Sequence, residues 1–231
     1  MHKIIKYISI SIIIFGSFVL NGCEKDKNSG LPIDGDGNKY DTVVIGNQVW
    51  FAENLKSTKY NNGVSIPLVT DNTKWASATS AAFSWYDNNP IYKEKYGGLY
   101  NWWAVNVPYL CPVGWHVPSL EEWTILVDNL GGEYVSGGKL KEFGVTNWLT
   151  PNEGATNETG FTALPGGRRY FGDGSFESLG TRGYWWTSSS TNDERFAWDF
   201  RLNNIGDDAI IGSFKKPTGY SVRCVKDVSH L

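Results

Sequence analysis

Histidine is scarce in this sequence, and its scarcity removes many routes to catalysis. Three histidines occur in 231 residues, against eleven tryptophans. His2 and His230 lie near the ends of the chain, and His116 is isolated in a Trp-His-Val-Pro turn. That setting is more typical of a packed residue than of a general base or a metal ligand. The glutamates show no spacing that pairs two of them as glycosidase carboxylates. We therefore expect no catalytic residue in this chain.

Long hydrophobic runs are also missing, which argues against a conventional membrane span. The apolar run from Ile8 to Leu20 is too short to cross a bilayer comfortably. Lys3 and Lys6 precede it and Leu20-Asn21-Gly22-Cys23 ends it, an order that resembles the bacterial lipobox. We predict a lipoprotein signal peptide over residues 1–22 and lipidation of Cys23 as the first residue of the mature chain. The alternative is an ordinary signal peptide with an incidental cysteine.

The segment after Cys23 is predicted to be a flexible, lipid-anchored tether over residues 23–35. Its first residues, Cys23-Glu24-Lys25-Asp26-Lys27-Asn28, resemble the export signal of Bacteroidetes-type lipoproteins that face outward from the outer membrane. The alternative is a solvated linker without an address. We expect a lipid-anchored protein in the outer membrane of a Gram-negative bacterium, at the cell surface.

Clusters of basic residues are absent as well. Loss of Lys3 and Lys6 with the signal peptide leaves 19 basic and 24 acidic residues, so the mature formal charge is 19 minus 24, or −5. Nucleic-acid-binding proteins concentrate positive charge on one surface. We therefore expect no nucleic-acid partner.

Two cysteines remain once Cys23 is assigned to lipid. An even number of cysteines in an exported protein is typical of a disulfide, and we predict a bond between Cys111 and Cys224. The loop that it closes is long, so the chain-entropy model gives a stabilisation of about 4–5 kcal/mol. The alternative is two free buried thiols.

The rest of the chain, residues 36–228, has the length of one ordinary domain. Its best-defined element is an amphipathic helix over residues 119–130, which starts at a capping box of Ser119 and Glu122. Gly98 to Val105 is predicted to be a short buried helix, and Gly137-Gly138-Lys139 a turn. Gly46-Asn47 indicates a β-hairpin, and the last third is rich in strand-like runs.

The order of the motifs resembles one known family, the Fibrobacter succinogenes major paralogous domain. Its members occur on exported and lipid-anchored bacterial proteins. The resemblance covers nearly all of residues 36–227. It rests on these segments: Ile45 to Leu55, Gly98 to Trp102, Leu110 to Pro118, Glu122-Trp123, Gly160-Phe161, Ala163 to Gly167, Tyr184 to Ser188 and Ser221 to Val225.

A wider resemblance, to the sulfatase-modifying domains of the C-type lectin-like group, implies the architecture. We expect an α+β fold, with two helices packed on a small twisted antiparallel sheet and long loops. Such folds bind ligands with their loops and neighbouring strands, which makes Tyr184, Trp185, Trp186 and Trp198 the candidate ligand-binding residues. Because neighbouring strand residues face opposite sides, one of Trp185 and Trp186 should be exposed or covered by a loop. The alternative is that both are buried.

No metal or cofactor is predicted, with calcium binding as the alternative. Asp34 to Asn38 resembles the start of a calcium loop, but Ile45 occupies the position where an EF-hand has glutamate. A tight turn is the alternative there. The acidic pairs Asp193-Glu194 and Asp207-Asp208 could supply oxygen ligands, but such pairs are usually solvated.

Three functions are compatible with the sequence. The resemblance favours a non-catalytic surface lipoprotein that serves adhesion or polysaccharide capture, with the membrane, a polysaccharide or a surface protein as its partners. A structural subunit of a surface layer or appendage is the alternative. An enzyme of the sulfatase-modifying kind is disfavoured because no second cysteine lies near Cys224.

Overall fold

The computed structural model of the protein describes residues 30–228. The predicted signal peptide (1–22), the lipidation of Cys23 and most of the tether (23–35) lie outside the described residues. Within the described part of the chain, no helix combines the length and the apolarity that a bilayer crossing requires.

The described residues form an α+β fold of short elements. The helices are α1 (Asn72–Ala76), α2 (Lys93–Tyr96), α3 (Trp102–Val105), α4 (Leu120–Asn129) and α5 (Glu133–Leu140). Single 3₁₀ turns span Tyr86–Asn88 and Pro90–Tyr92. The strands are β1 (Thr42–Ile45), β2 (Gln48–Phe51), β3 (Phe83–Ser84), β4 (Leu99–Tyr100), β5 (Trp115–His116), β6 (Gly166–Arg169), β7 (Phe176–Leu179), β8 (Arg182–Ser190), β9 (Phe196–Asn203), β10 (Ile210–Lys215) and β11 (Val225–Lys226).

A four-stranded sheet joins the two ends of the domain. Its order is β1-β2-β11-β5, and all of its pairings are antiparallel. The β1–β2 hairpin turns at Gly46-Asn47, as predicted, and Gly46 has the positive φ of 58° that such a turn requires. Trp50 of β2 is paired with Val225 of β11, so the first hairpin and the last strand are neighbours.

A second, three-stranded sheet lies at the centre, in the order β10-β9-β8. One of its faces contributes Tyr184, Trp186 and Ala197 to one hydrophobic core. The other face contributes Phe200 and Leu202 to a second core, together with helix α4. Both faces of this sheet are therefore covered. The pairs β3–β4 and β6–β7 form small two-stranded sheets.

Helix α4 matches its prediction closely. The Ser119 hydroxyl accepts a hydrogen bond from the Glu122 amide at 3.2 Å, and the Glu122 carboxylate accepts one from the Ser119 amide at 2.8 Å. Trp123, Leu126 and Val127 are buried on its inner face. The Trp123 ring stacks on Phe200 with the centroids 4.2 Å apart, which fixes the helix on the central sheet.

Helix α5 corrects the prediction of a turn at Gly137-Gly138. Both glycines lie inside the helix, where glycine normally costs stability. A Cβ atom on Gly137 would lie 2.3 Å from the carbonyl oxygen of Asp208, and one on Gly138 equally close to that of Gly154. The glycines therefore allow two loops to pack directly on the helix backbone, a tertiary requirement that a local pattern does not reveal.

The segment from Gly98 to Val105 is also more divided than predicted. Leu99–Tyr100 is strand β4, and the helix α3 starts only at Trp102. The Asn101 side chain caps it by accepting a hydrogen bond from the Ala104 amide at 3.1 Å. Trp103 is only half-buried, although the whole segment is predicted to be a buried helix. Adjacent helical residues point about 100° apart, so Trp102 and Trp103 cannot share one buried face.

The disulfide between Cys111 and Cys224 is confirmed. Both residues are buried, and their Cα atoms are 6.0 Å apart. The bond connects the chain ahead of β5 and α4 to the residue preceding β11, as the sequence predicts.

Candidate ligand-binding groove

Three of the four predicted ligand-binding residues are buried, so the prediction that they present a binding surface is wrong. Tyr184 is 1% exposed, and Trp185 and Trp186 are not exposed at all. Trp185 and Trp186 do point to opposite faces of the central sheet, but each face is covered by its own hydrophobic core. The alternative in which both tryptophans are buried is therefore the correct one.

These aromatic residues serve the scaffold through specific hydrogen bonds. The indole nitrogen of Trp185 donates to Oδ1 of Asn54 at 2.8 Å, and that of Trp186 donates to the carbonyl oxygen of Tyr100 at 2.9 Å. The fully buried guanidinium of Arg223 also donates to Oδ1 of Asn54, at 3.0 and 3.2 Å. Burial lowers the pKa of Arg223 to about 9. Asn54 is thus a buried junction between the first hairpin, the central sheet and the last strand.

Trp198, the fourth predicted residue, is half-buried. In the register of the central sheet it is paired with Ser213, and Phe196 is paired with Lys215. Because alternate residues share a face, Trp198 lies on the same face as Lys215. It retains accessible surface and stays a candidate.

The hollow with the chemistry of a ligand site is a groove of about 510 Å³. This volume lies within the range of small-molecule sites in proteins. The residues that line it, which we call the aromatic-cationic groove, are Ala76, Ser77, Ala78, Thr79, Trp103, Phe171, Glu194, Arg195, Lys215, Lys216 and Pro217. They combine two half-buried aromatic rings, those of Trp103 and Phe171, with three cations and two hydroxyl groups.

One side of the groove depends on Asn101 and helix α3. The Asn101 carboxamide accepts hydrogen bonds from the amides of Ala82 and Ala104 and donates one to the carbonyl oxygen of Ser80. It thereby holds the chain that follows Thr79 against the start of α3. This cap positions Trp103, two residues after Asn101, at the groove.

The opposite side depends on the ends of strands β9 and β10. The Lys216 amide donates to the carbonyl oxygen of Arg195 at 3.0 Å, and its carbonyl oxygen accepts from the Trp102 amide at 2.9 Å. Asp193 accepts from the Arg195 guanidinium at 2.6 to 3.2 Å. These hydrogen bonds lower the pKa of Asp193 to about 2. Asp193 of the Asp193-Glu194 pair thus forms an ion pair with Arg195 in a turn.

The two lysines of the groove lie over aromatic rings. Nζ of Lys215 is 4.4 Å from the ring centroid of Phe171, and Nζ of Lys216 is 4.2 Å from that of Trp102. These are cation–π distances, which orient an ammonium group without neutralising its charge. Among the described residues, neither lysine has a carboxylate oxygen within 4.0 Å.

Two other hollows have a different chemistry. One of about 230 Å³ beside Cys111 is lined mainly by aliphatic side chains, and one of about 510 Å³ beside β2 has no aromatic residue among its described lining. Between them, His116 is bonded through Nδ1 to Asp227 at 2.6 Å and through Nε2 to Glu122 at 2.8 Å. The hydrogen bond to Glu122 is the largest cause of the raised pKa of His116. His116 is thus an ion-pair bridge between α4 and the C-terminal segment.

The described residues contain no group of three or more His, Cys, Asp or Glu side chains arranged to hold a metal ion. Near Asp207-Asp208, the positive charge is that of the Lys141 side chain. The Lys141 ammonium donates to the carbonyl oxygens of Glu153, Asn203 and Gly206 at 2.7, 3.0 and 2.7 Å. The Asp34 side chain accepts hydrogen bonds from Asp36, Asn38 and Tyr40, which is a tight turn.

A comparison with family models decides the relationship of the chain. The model of the Fibrobacter succinogenes major domain matches residues 43–226. The chain belongs to the Fibrobacter succinogenes major domain family. The resemblance predicted from the motifs is thereby confirmed. No curated protein and no solved structure gives a significant match to the chain.

Most residues of the Fibrobacter succinogenes major domain that carry the motif resemblance are part of the scaffold. Trp185, Trp186, Cys224 and Arg223 are completely buried, as is Trp123. The groove contains none of them. Sequence reasoning missed its residues because they come from separate segments between Ala76 and Pro217. The adjacent lysines Lys215-Lys216 in an acidic chain were the available signal.

Proposed function

We propose that this protein is a lipid-anchored, outward-facing outer-membrane protein whose domain captures a polysaccharide without transforming it. The observation that carries the proposal is the pair of half-buried rings, Trp103 and Phe171, in a groove that also offers Ser77 and Thr79 hydroxyl groups. A pyranose ring has an apolar C–H face that packs on an aromatic ring, and hydroxyl groups at its edge that need hydrogen-bond partners. The groove offers both types of contact.

The non-catalytic part of the proposal is supported by the state of Cys224. The sulfatase-modifying enzymes use a cysteine pair for oxidation, whereas Cys224 is bonded to the distant Cys111. The lectin-like architecture is supported by the pairing of the first hairpin with the last strand, through Trp50 and Val225. It is also supported by the packing of helix α4 on the central antiparallel sheet.

The anchor is supported by the sequence around Cys23. Metabolic labelling with a palmitate analogue should mark the wild-type protein and leave Cys23→Ser unlabelled. Protease added to intact cells should digest the wild-type protein, since an outward-facing anchor leaves the domain accessible from the medium. An unlabelled wild-type protein, or one protected until the outer membrane is broken, would contradict the anchored, outward-facing assignment.

Binding is tested with the mature chain carrying Cys23→Ser, which is not acylated. A glycan array should give a discrete set of hits that survive a calcium chelator. Trp103→Ala should weaken those hits at least about tenfold, because an aromatic hot spot contributes about 2 kcal/mol or more. Trp198→Ala is the matched control, since Trp198 is also a half-buried tryptophan but does not line the groove.

The results of these assays distinguish the groove from Trp198 as the binding site, and polysaccharide capture from a structural role. Loss of binding in Trp198→Ala with retention in Trp103→Ala would place the site at the residue predicted from sequence. An array without hits, combined with concentration-dependent polymerisation in light scattering, would replace the binding proposal with the structural subunit.

A further inference from the structure

We propose that the aromatic-cationic groove takes an acidic polysaccharide, one that carries carboxylate or sulfate groups on its sugar rings. This inference rests on the proposed function, because it assigns a ligand class to the same site. The groove is lined by Arg195, Lys215 and Lys216, against the single carboxylate of Glu194. The mature chain as a whole is acidic, at 19 basic against 24 acidic residues. The local charge of the groove is therefore opposite to that of the protein.

The charge of the two lysines is available to a ligand. Each ammonium lies over a ring, Phe171 at 4.4 Å and Trp102 at 4.2 Å, and among the described residues neither has a carboxylate within ion-pairing distance. Arg195 differs, because Asp193 binds its guanidinium side-on with two oxygens. Arg195 is thus largely compensated, and the groove keeps the positive charge of Lys215 and Lys216, which is offset by Glu194 and, beyond ion-pairing distance, by Asp193.

The position of Lys216 is fixed before any ligand arrives. Its amide and carbonyl groups are both hydrogen-bonded, to Arg195 and Trp102, and both lysine side chains are half-buried. A preorganised cation loses little conformational entropy on binding an anion, so more of the contact energy appears as affinity. Long surface lysines in solvent lack this advantage.

The mixture of rings and cations fits an acidic sugar better than a neutral one. The apolar face of such a sugar packs on Trp103 or Phe171, while its carboxylate or sulfate reaches the lysine ammonium groups. A neutral sugar seated in the same groove removes water from two ammonium groups and supplies no counter-charge, which is unfavourable. The geometry therefore selects for negative charge at the edge of the bound ring.

The test uses pairs of polymers that differ in charge but share a backbone. Dextran sulfate is compared with dextran, and polygalacturonate with its methyl ester, by calorimetry on the mature chain with Cys23→Ser. We expect at least one acidic member to bind and its neutral counterpart to bind at least about tenfold more weakly, since a hydrogen bond to a charged group contributes about 1.5–3 kcal/mol. Raising the salt concentration should weaken the acidic complex.

Two double variants separate a local effect from a change in net charge. Lys215→Gln/Lys216→Gln should weaken the acidic complex at least about tenfold. Lys39→Gln/Lys226→Gln removes the same charge from two exposed lysines outside the groove and should leave binding unchanged. Equal weakening by both double variants would show that the net charge of the protein, and not the groove, determines binding, and would overturn the inference.

The remaining outcomes also decide between the two proposals. Equal binding of neutral and acidic partners would overturn the ligand class and leave polysaccharide capture in place. Absence of binding to all four polymers and to the glycan array would remove the proposed function itself. Equally tight binding to vesicles with anionic phosphatidylglycerol, or to a single-stranded oligonucleotide, would assign the groove to a membrane surface or to indiscriminate polyanion contact and overturn the inference.

Discussion

Opening the Cys111–Cys224 disulfide should lower the free energy of unfolding by about 4.8 kcal/mol. The cysteines are 113 residues apart in sequence, and closing a loop of that length removes about 16 cal/mol/K of entropy from the unfolded chain. Whole domains are stabilised by about 5–15 kcal/mol, so the reduced protein should lie near the edge of stability. Cys224 belongs to the segment that pairs with β2, so its loosening should affect the terminal sheet first.

The measurement is urea unfolding of the mature Cys23→Ser chain, oxidised and reduced, followed by tryptophan fluorescence. The reduced form should unfold at lower urea and with a steeper slope, because its unfolded state is less compact and exposes more surface. Cys111→Ala/Cys224→Ala should resemble the reduced form and not respond to reductant. A difference below about 1 kcal/mol, with equal slopes, would refute the chain-entropy reasoning for this loop.

Three further predictions concern residues outside the groove. Gly137→Ala should destabilise the domain by about 1–3 kcal/mol in thermal unfolding, because its Cβ would overlap the Asp208 carbonyl group; a higher midpoint, as helix propensity alone predicts, would contradict this packing. Lys141→Met should lower the free energy of unfolding by about 1–3 kcal/mol, because three carbonyl oxygens in partly buried hydrogen bonds lose their donor; unchanged unfolding in urea would contradict it. His116 has a raised pKa, chiefly through its hydrogen bond with Glu122, so its stabilisation is complete below the unfolded pKa of about 6.5 and is lost as pH rises through the folded pKa. His116→Gln should remove that part of the pH dependence between pH 5.5 and 8.5, and an unchanged profile would contradict the ion-pair bridge.

Features that depend on local chemistry could be predicted from the sequence. The capping box at Ser119 and Glu122 requires residues only three positions apart, and helix α4 follows it as predicted. The Gly46-Asn47 hairpin is similarly local. The disulfide is a distant contact, but it could be predicted by elimination, because only Cys111 and Cys224 remained after Cys23 was assigned.

Features that depend on what packs against a residue could not be predicted. The Gly137-Gly138 pair is typical of a turn. The close approach of the Asp208 carbonyl group to Gly137 explains why glycine occurs inside a helix there. The alternation of Trp185 and Trp186 was correct, yet alternation does not reveal that both faces of the sheet are covered. The sequence predicts strand-like runs in the last third without assigning one to strand β10, which carries Lys215 and completes one side of the groove.

The buried cations explain why the recognisable motifs are poor guides to the proposed binding groove. The buried Arg223 guanidinium donates hydrogen bonds that hold parts of the fold together. Arg169 has the same role in another part of the domain. The Arg169 guanidinium lies between the rings of Trp75 and Phe176, at 4.4 and 4.8 Å, and donates to the carbonyl oxygens of Thr70 and Gly174. Such an arginine connects several loops at once, and replacing it leaves several buried carbonyl groups without a donor.

The groove has the opposite properties. Its lysines are half-buried, donate no side-chain hydrogen bond to another described residue, and lie at the edge of the scaffold. Replacing Lys215 or Lys216 should therefore change the free energy of unfolding little, whereas replacing Arg169 should lower it strongly. Under the proposed function, substitutions at the groove would alter the ligand without disturbing the buried motif residues. We therefore expect ligand preference to follow the groove residues and stability to follow the buried arginines.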